Sequence, residues 1–120
     1  MLHEELPAPI ARYFSAREGS DVEKVLACFA EDATVWDNGE DLELKGIVQV
    51  RQWMAGPVAG YELTYEVTSI EQRGDEYFTS VVVSGKFPGS PYRFDNRFKL
   101  RDDKIVELVT DPIGSLADPG

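Results

Sequence analysis

The chain begins at helical spacing and ends in alternation. In "PIARYFSAR", Ile10, Tyr13, Phe14 and Arg17 fall at i, i+3, i+4 and i+7, which predicts a helix with one buried stripe. Pro9 suits its first turn. "GS" at 19–20 ends that helix, and Ser20 followed by Glu23 reads as a capping box that starts the next. Val22, Val25, Leu26 and Phe29 give the second helix its stripe, with Cys28 beside it. "ATVWD" is β-branched and aromatic, a short strand. "DNGED" turns, and "LELKG" returns as a second short segment. Ile47, Val50 and Met54, with Trp53 next to them, mark a third helix closed by "GP" at 56–57.

From there the period is two. "YELTYEVTSIE" puts Tyr61, Leu63, Tyr65 and Val67 on one face and Glu62, Thr64, Glu66 and Thr68 on the other. "QRGDE" turns into "YFTSVVVSGKF", "PGSP" into "YRFDNRFKL", and "RDD" into "KIVELVTD". A four-strand antiparallel meander following three helices is an α+β layout, one curved sheet covered by the helices. The expected organisation is a single domain over 1–120, with a core of about 5–112 and a tail, "PIGSLADPG", that is loose or held by a partner.

Composition narrows the function. At 120 residues the chain is long enough to bury a core without disulfides, and its 42% apolar content excludes disorder. No run approaches the length of a spanning helix, so no membrane is expected. "MLHEELPAPIARYF" lacks a secretory pattern, and a lone Cys28 suits a reducing cytoplasm. A net charge of −10 argues against nucleic acid. Arg93, Arg97, Lys99, Arg101 and Lys104 gather near the C-terminus, but they alternate along strands where neighbouring acids can pair with them. With one histidine, His3, and no CxxC, HExxH, phosphate-loop or GxGxxG pattern, neither a metal nor a cofactor is expected. Cys28 has no histidine partner and reads as a small core residue; "RGD" at 73–75 reads as a hairpin turn.

Six carboxylates crowd "AEDATVWDNGEDLELKG": Glu31, Asp32, Asp37, Glu40, Asp41 and Glu43. Strand parity separates them. Ala33, Val35 and Asp37 share the face suited to the concave side, and the other five fall at a helix end or in and after a turn, as surface acids. Asp37 has two readings of equal standing. In an apolar pocket its charged form is disfavoured, making it a general base; alternatively it only caps the "DNG" turn. On "YRFDNRFKL", Tyr92, Phe94, Asn96, Phe98 and Leu100 point inward, which makes Asp95 a surface partner of arginines. Asn96, polar among aromatics, must hydrogen-bond to ligand or to a backbone group. The last strand is mixed on both faces, so Asp111 has no assigned side.

Two capped helices, "FAEDATVWDN", a "KG" before the third helix and a long meander together resemble the SnoaL-like group of the nuclear-transport-factor-2-like superfamily, over about residues 5 to 112. That resemblance implies a cone: a strongly bent sheet wrapped around N-terminal helices, with an apolar pocket open at one end. The group includes isomerases, polyketide cyclases, epoxide hydrolases, dehydratases and non-catalytic binders, so the fold alone leaves the reaction open. "ARYFSAREGSDVEKVLACFAEDATVWDN" is most similar to bacterial ketosteroid isomerases. Carried over by position, Tyr13 falls on the tyrosine that donates to the substrate oxygen and Asp37 on the general base. The protonated aspartate of that site is replaced by Tyr92, or by Arg93 if the turn differs by one residue. The implied activity is proton transfer on an apolar, steroid- or polyketide-like carbonyl compound; the alternative is a non-catalytic ligand-binding or dimeric module. Phe29, Trp53, Tyr65, Phe94, Asn96 and Phe98 are the expected substrate-binding residues. A third possibility is a scaffold whose pocket is filled by its own Trp53, Phe94 and Phe98. A homodimer through the outer sheet face is also expected, from Glu62, Thr64 and Glu66 opposite Arg93, Arg97 and Lys99.

Overall fold

The computed structural model describes residues 6–19, 21–54 and 62–117. Helix α1 (Ala8–Glu18) buries Ile10, Tyr13, Phe14 and Arg17, the stripe its spacing predicts, and has a proline in its first turn. Helix α2 (Val22–Leu26) is shorter than expected. Its start is capped by the Asp21 side chain, which accepts from the Lys24 amide, while the expected cap at Ser20 lies outside the described residues. Glu23 pairs with Arg51. Phe29 does not continue α2 but opens β1 (Phe29–Asp37), which therefore also takes in Glu31 and Asp32.

After β2 (Leu42–Lys45), Gly46 enters α3 (Ile47–Met54) at φ +83°, a conformation that side-chain-bearing residues avoid. Its amide donates to the Ala33 carbonyl at 2.7 Å and its carbonyl accepts from Val50, so one glycine ties the helix start to β1. The predicted closure at 56–57 and the alternation at Tyr61 lie outside the described residues, as does His3.

The four-strand meander is present as β3 (Thr64–Arg73), β4 (Glu76–Ser84), β5 (Tyr92–Arg101) and β6 (Lys104–Ser115). Asp102 and Asp103, both at positive φ, form the two-residue turn between β5 and β6 that suits the twist of paired strands. Among the described residues six strands join one curved, unclosed sheet in the order β2-β1-β6-β5-β4-β3. The pair β1–β6 is parallel and the others antiparallel. This long-range parallel pair, Val35 beside Leu108 and Asp37 beside Thr110, carries the N-terminal strands onto the meander.

Two register shifts explain where strict alternation fails. An irregularity between Lys99 and Leu100 in the β5–β6 ladder lets Ile105 and Leu108 both face inward, with Glu107, Val109 and Asp111 outward. The last strand looked mixed because it holds an extra residue. A second shift after Val67 moves the inward position of β3 to Ile70. The expected loose tail is in part strand: Pro112 to Ser115 pair with Phe94 to Tyr92. Phe98, Ile105, Leu108, Val35 and Val81 are fully buried between sheet and helices, each worth about 1.5–3 kcal/mol. Among the described residues no helix is long and apolar enough to cross a membrane.

Candidate functional site

The end of β1 delivers Asp37 to the concave side, because Ala33 and Val35 on the same face are buried and fix the strand's orientation. Immediately after it the chain turns, and Oδ1 of Asp37 accepts from the amides of Gly39 (3.1 Å) and Glu40 (3.3 Å). Oδ2 accepts from the indole N–H of Trp53 on α3, at 2.9 Å. The carboxylate thus caps its turn and faces a cavity at once. The two readings of Asp37 are compatible in geometry: one oxygen serves the turn, the other is aimed by a tryptophan.

Across the cavity, α1 contributes Tyr13 and Arg17, one turn apart. Tyr13 is buried, its ring edge-on to Phe29, Phe98 and Phe14 at centroid distances of 5.4–5.8 Å. Burial pushes its phenol far above the ordinary tyrosine range, an effect the nearby Arg17 opposes in part. Tyr13 is therefore a neutral donor at any physiological pH, and its hydroxyl has no hydrogen-bond partner among the described residues.

The sheet supplies the remaining walls. Tyr92, Phe94 and Asn96 line the cavity from β5, with Thr110 and Pro112 from β6 and Tyr65 from β3. Tyr92 stacks against Phe94 at 5.4 Å, and it is Tyr92, not Arg93, that faces the cavity; Arg93 pairs with Asp95 on the outer surface. Asp95 has the surface role expected of it. The cavity holds about 340 Å³ and is partly open, so it is not filled by Trp53 and Phe94, which form part of its wall. Phe98 is also no plug, and neither it nor Phe29 is a wall residue: both are core, buried behind Tyr13. They support the tyrosine and do not meet the space. Asp111 is on the other side of the sheet, opposite Asp95, with its carboxylate accepting from Asn38. Among the described residues, no three His, Cys, Asp or Glu side chains group as they would around a metal ion.

Arg17 is the residue sequence reasoning missed. It is 9% exposed, yet among the described residues no carboxylate pairs with it. Nε donates to the Tyr65 hydroxyl at 3.1 Å, Nη1 points at the Met54 sulfur at 2.8 Å, and the guanidinium lies 5.0 Å above the Trp53 ring. Burial works against its charge, but the oxygens of Tyr13, Tyr65 and Asp37 more than offset that, so it stays cationic. The signal was available: an arginine at the i+7 position of an otherwise apolar stripe has to be buried with the stripe. Trp53 joins the two charges, its face under Arg17 and its N–H on Asp37.

Residues 10–108 match the family model described as SnoaL-like domain. Among solved structures, a Sinorhizobium meliloti protein assigned as a polyketide cyclase superposes with a TM-score of 0.83 at 28% identity, over 92% of this chain and 100% of that one. A protein of ketosteroid isomerase-like fold from Catenulispora acidiphila, solved with trimethylamine, gives 0.77 at 21%, over 92% and 87%. A Kribbella flavida protein assigned as a ketosteroid isomerase gives 0.73 at 17%, over 98% and 84%. The last two likenesses are of fold alone. Among curated proteins, none matches the chain in sequence.

Proposed function

Taking as premise that the chain belongs to the SnoaL-like domain family, we propose that it binds a small apolar carbonyl compound, steroid- or polyketide-like, and moves a proton next to the carbonyl. The observation that carries this reading is the shared cavity: Asp37, aimed by Trp53, lines the same 340 Å³ space as the protonated Tyr13. A carboxylate that removes a proton α to a carbonyl creates an enolate, and a neutral donor placed on the carbonyl oxygen stabilises the charge that forms there. Tyr92 is a second phenol lining the same cavity, from β5, and offers a second donor to that oxygen. Mostly apolar walls with a few placed polar groups suit a small organic ligand.

The test is Asp37→Asn against a panel of Δ5-ketosteroids and simple enolisable ketones. The amide is nearly isosteric but cannot take the proton, so turnover should fall by about 10²–10⁴ while ligand binding and fold persist. Equal rates in both proteins, or no turnover of any panel member, would favour the second reading, a non-catalytic ligand-binding module. One observation supports that alternative: both backbone donors to Asp37 belong to its own turn, a role that needs no chemistry.

The same proposal includes a homodimer through the outer sheet face and a cytoplasmic setting in which buried Cys28 stays reduced. The cations expected to meet a partner's acids are matched within the chain, Arg97 by Glu76 and Glu107 and Lys99 by Asp75 and Glu107. Their charge is therefore no obstacle to burying this face, where Phe78 and Val109 line a groove among polar neighbours.

A further inference from the structure

Resting on the reading of this cavity as a small-molecule site, we infer that its ligand is an apolar carboxylic acid whose carboxylate pairs with the buried guanidinium of Arg17.

The inference starts from an imbalance. A guanidinium carries five N–H donors and a charge that burial strips of water; such groups are normally met by a carboxylate. Around Arg17 the described residues supply a phenol oxygen, a thioether sulfur and an indole face, and no carboxylate within ion-pair distance. Sulfur is a weak acceptor that a carboxylate oxygen would readily displace. Nη2 makes no hydrogen bond among the described residues, so a planar edge is left for a two-oxygen partner. Asp37 does not fill the role, since Trp53 and the turn amides hold its oxygens.

Two neighbours point to the same occupant. The phenol of Tyr13, one helical turn before Arg17 and on the same cavity wall, is a donor without an acceptor among the described residues. The Tyr65 hydroxyl takes the Arg17 N–H on its oxygen, which leaves its own proton free to give. Arg17 and Tyr65 thus present paired donors for a carboxylate, with the Tyr13 phenol lining the same cavity for a carbonyl oxygen, and the acids on the cavity wall, Asp37 and Glu40, form no ion pair with Arg17 among the described residues. A second orphan, the buried amide oxygen of Asn96, lacks a donor among the described residues and suits a hydroxyl elsewhere on the ligand. The stacked Trp53 ring and the Phe94 and Tyr92 walls then take the apolar body.

Calorimetric titration with 2-naphthoate and with neutral 2-naphthamide, alike in shape, tests the charge directly. Wild type should bind the acid at least tenfold more tightly than the amide. Arg17→Met, which keeps the volume and the methylene packing, should erase that preference while retaining the amide. Arg17→Lys, a point charge without the planar fork, should keep the fold and lower the acid-to-amide ratio at least threefold. Equal affinities in wild type, a preference that survives Arg17→Met, or an unchanged ratio in Arg17→Lys would overturn the inference and leave the cavity as a site for neutral ligands. Failure of both naphthyl compounds to bind wild type would overturn the small-molecule reading itself, and the inference with it.

Discussion

The indole N–H of Trp53 donates to Oδ2 of Asp37 across 2.9 Å, joining the last turn of the third helix to the end of the first strand. A residue that first reads as the flank of a helical stripe is the group that orients the candidate base. Trp53→Phe keeps the ring under Arg17 and removes only the donor. Losing a hydrogen bond to a charged group should cost about 1.5–3 kcal/mol of stability if the carboxylate finds no replacement, and less if water reaches it. If Asp37 is a base, kcat should fall with little change in KM, because the aim of the carboxylate matters most in the transition state. Urea unfolding and steady-state kinetics on one variant report both quantities.

Tyr13 and Tyr92 are two phenols lining one cavity, the first from α1 and the second from β5. If both donate to one substrate oxygen, Tyr13→Phe alone should be a modest lesion, and Tyr13→Phe combined with Tyr92→Phe should exceed either single change in lost turnover. A double-mutant cycle on kcat/KM reads the coupling. Strict additivity would place only one of them on the oxygen.

Burial of Tyr13 also makes a prediction about alkaline stability. Its folded value lies above the ordinary tyrosine value of about 10, so above that pH the unfolded chain releases the proton while the folded chain keeps it. Folded protein then binds more protons, and stability must fall as pH rises. The Tyr13 contribution is complete below pH 10 and is lost progressively above it, at up to about 1.4 kcal/mol per pH unit. Tyr13→Phe has no proton to lose. The stability difference between wild type and Tyr13→Phe, from urea midpoints at pH 8 to 11, should be flat to pH 10 and then shift against wild type.

A homodimer through the outer face should appear as about twice 13.4 kDa in light scattering at micromolar concentration. Val109→Lys, in the lining of the outer groove, should shift the protein to monomer without lowering its unfolding midpoint by more than a few degrees. A wild-type monomer under these conditions ends the dimer proposal.

Much of this architecture follows from local pattern. The spacing of Ile10, Tyr13, Phe14 and Arg17 specifies α1 and its buried face, and Tyr92, Phe94, Asn96 and Phe98 specify the inner face of β5, because side-chain direction repeats with backbone period. The same rule singles out Asp37 among six acids. Period fails where the chain gains or loses a residue relative to its neighbour: the shift at Lys99/Leu100 turns Ile105 and Leu108 to one side and Asp111 to the other, a matter of pairing that no single strand encodes. Nor does local pattern reveal that Phe29 leaves α2 to start a strand, since an apolar residue at i+4 suits either, and only the partner Ile105 selects the strand. The sequence by itself determined which residues face inward. Tertiary structure alone decided which of them meet empty space and which are packed: Phe29 and Phe98 are covered by Tyr13, while Tyr65 and Phe94 are not. It also decided that a buried arginine would pair with no carboxylate among the described residues, because burial is a property of one helix face but charge balance depends on every element that closes around it.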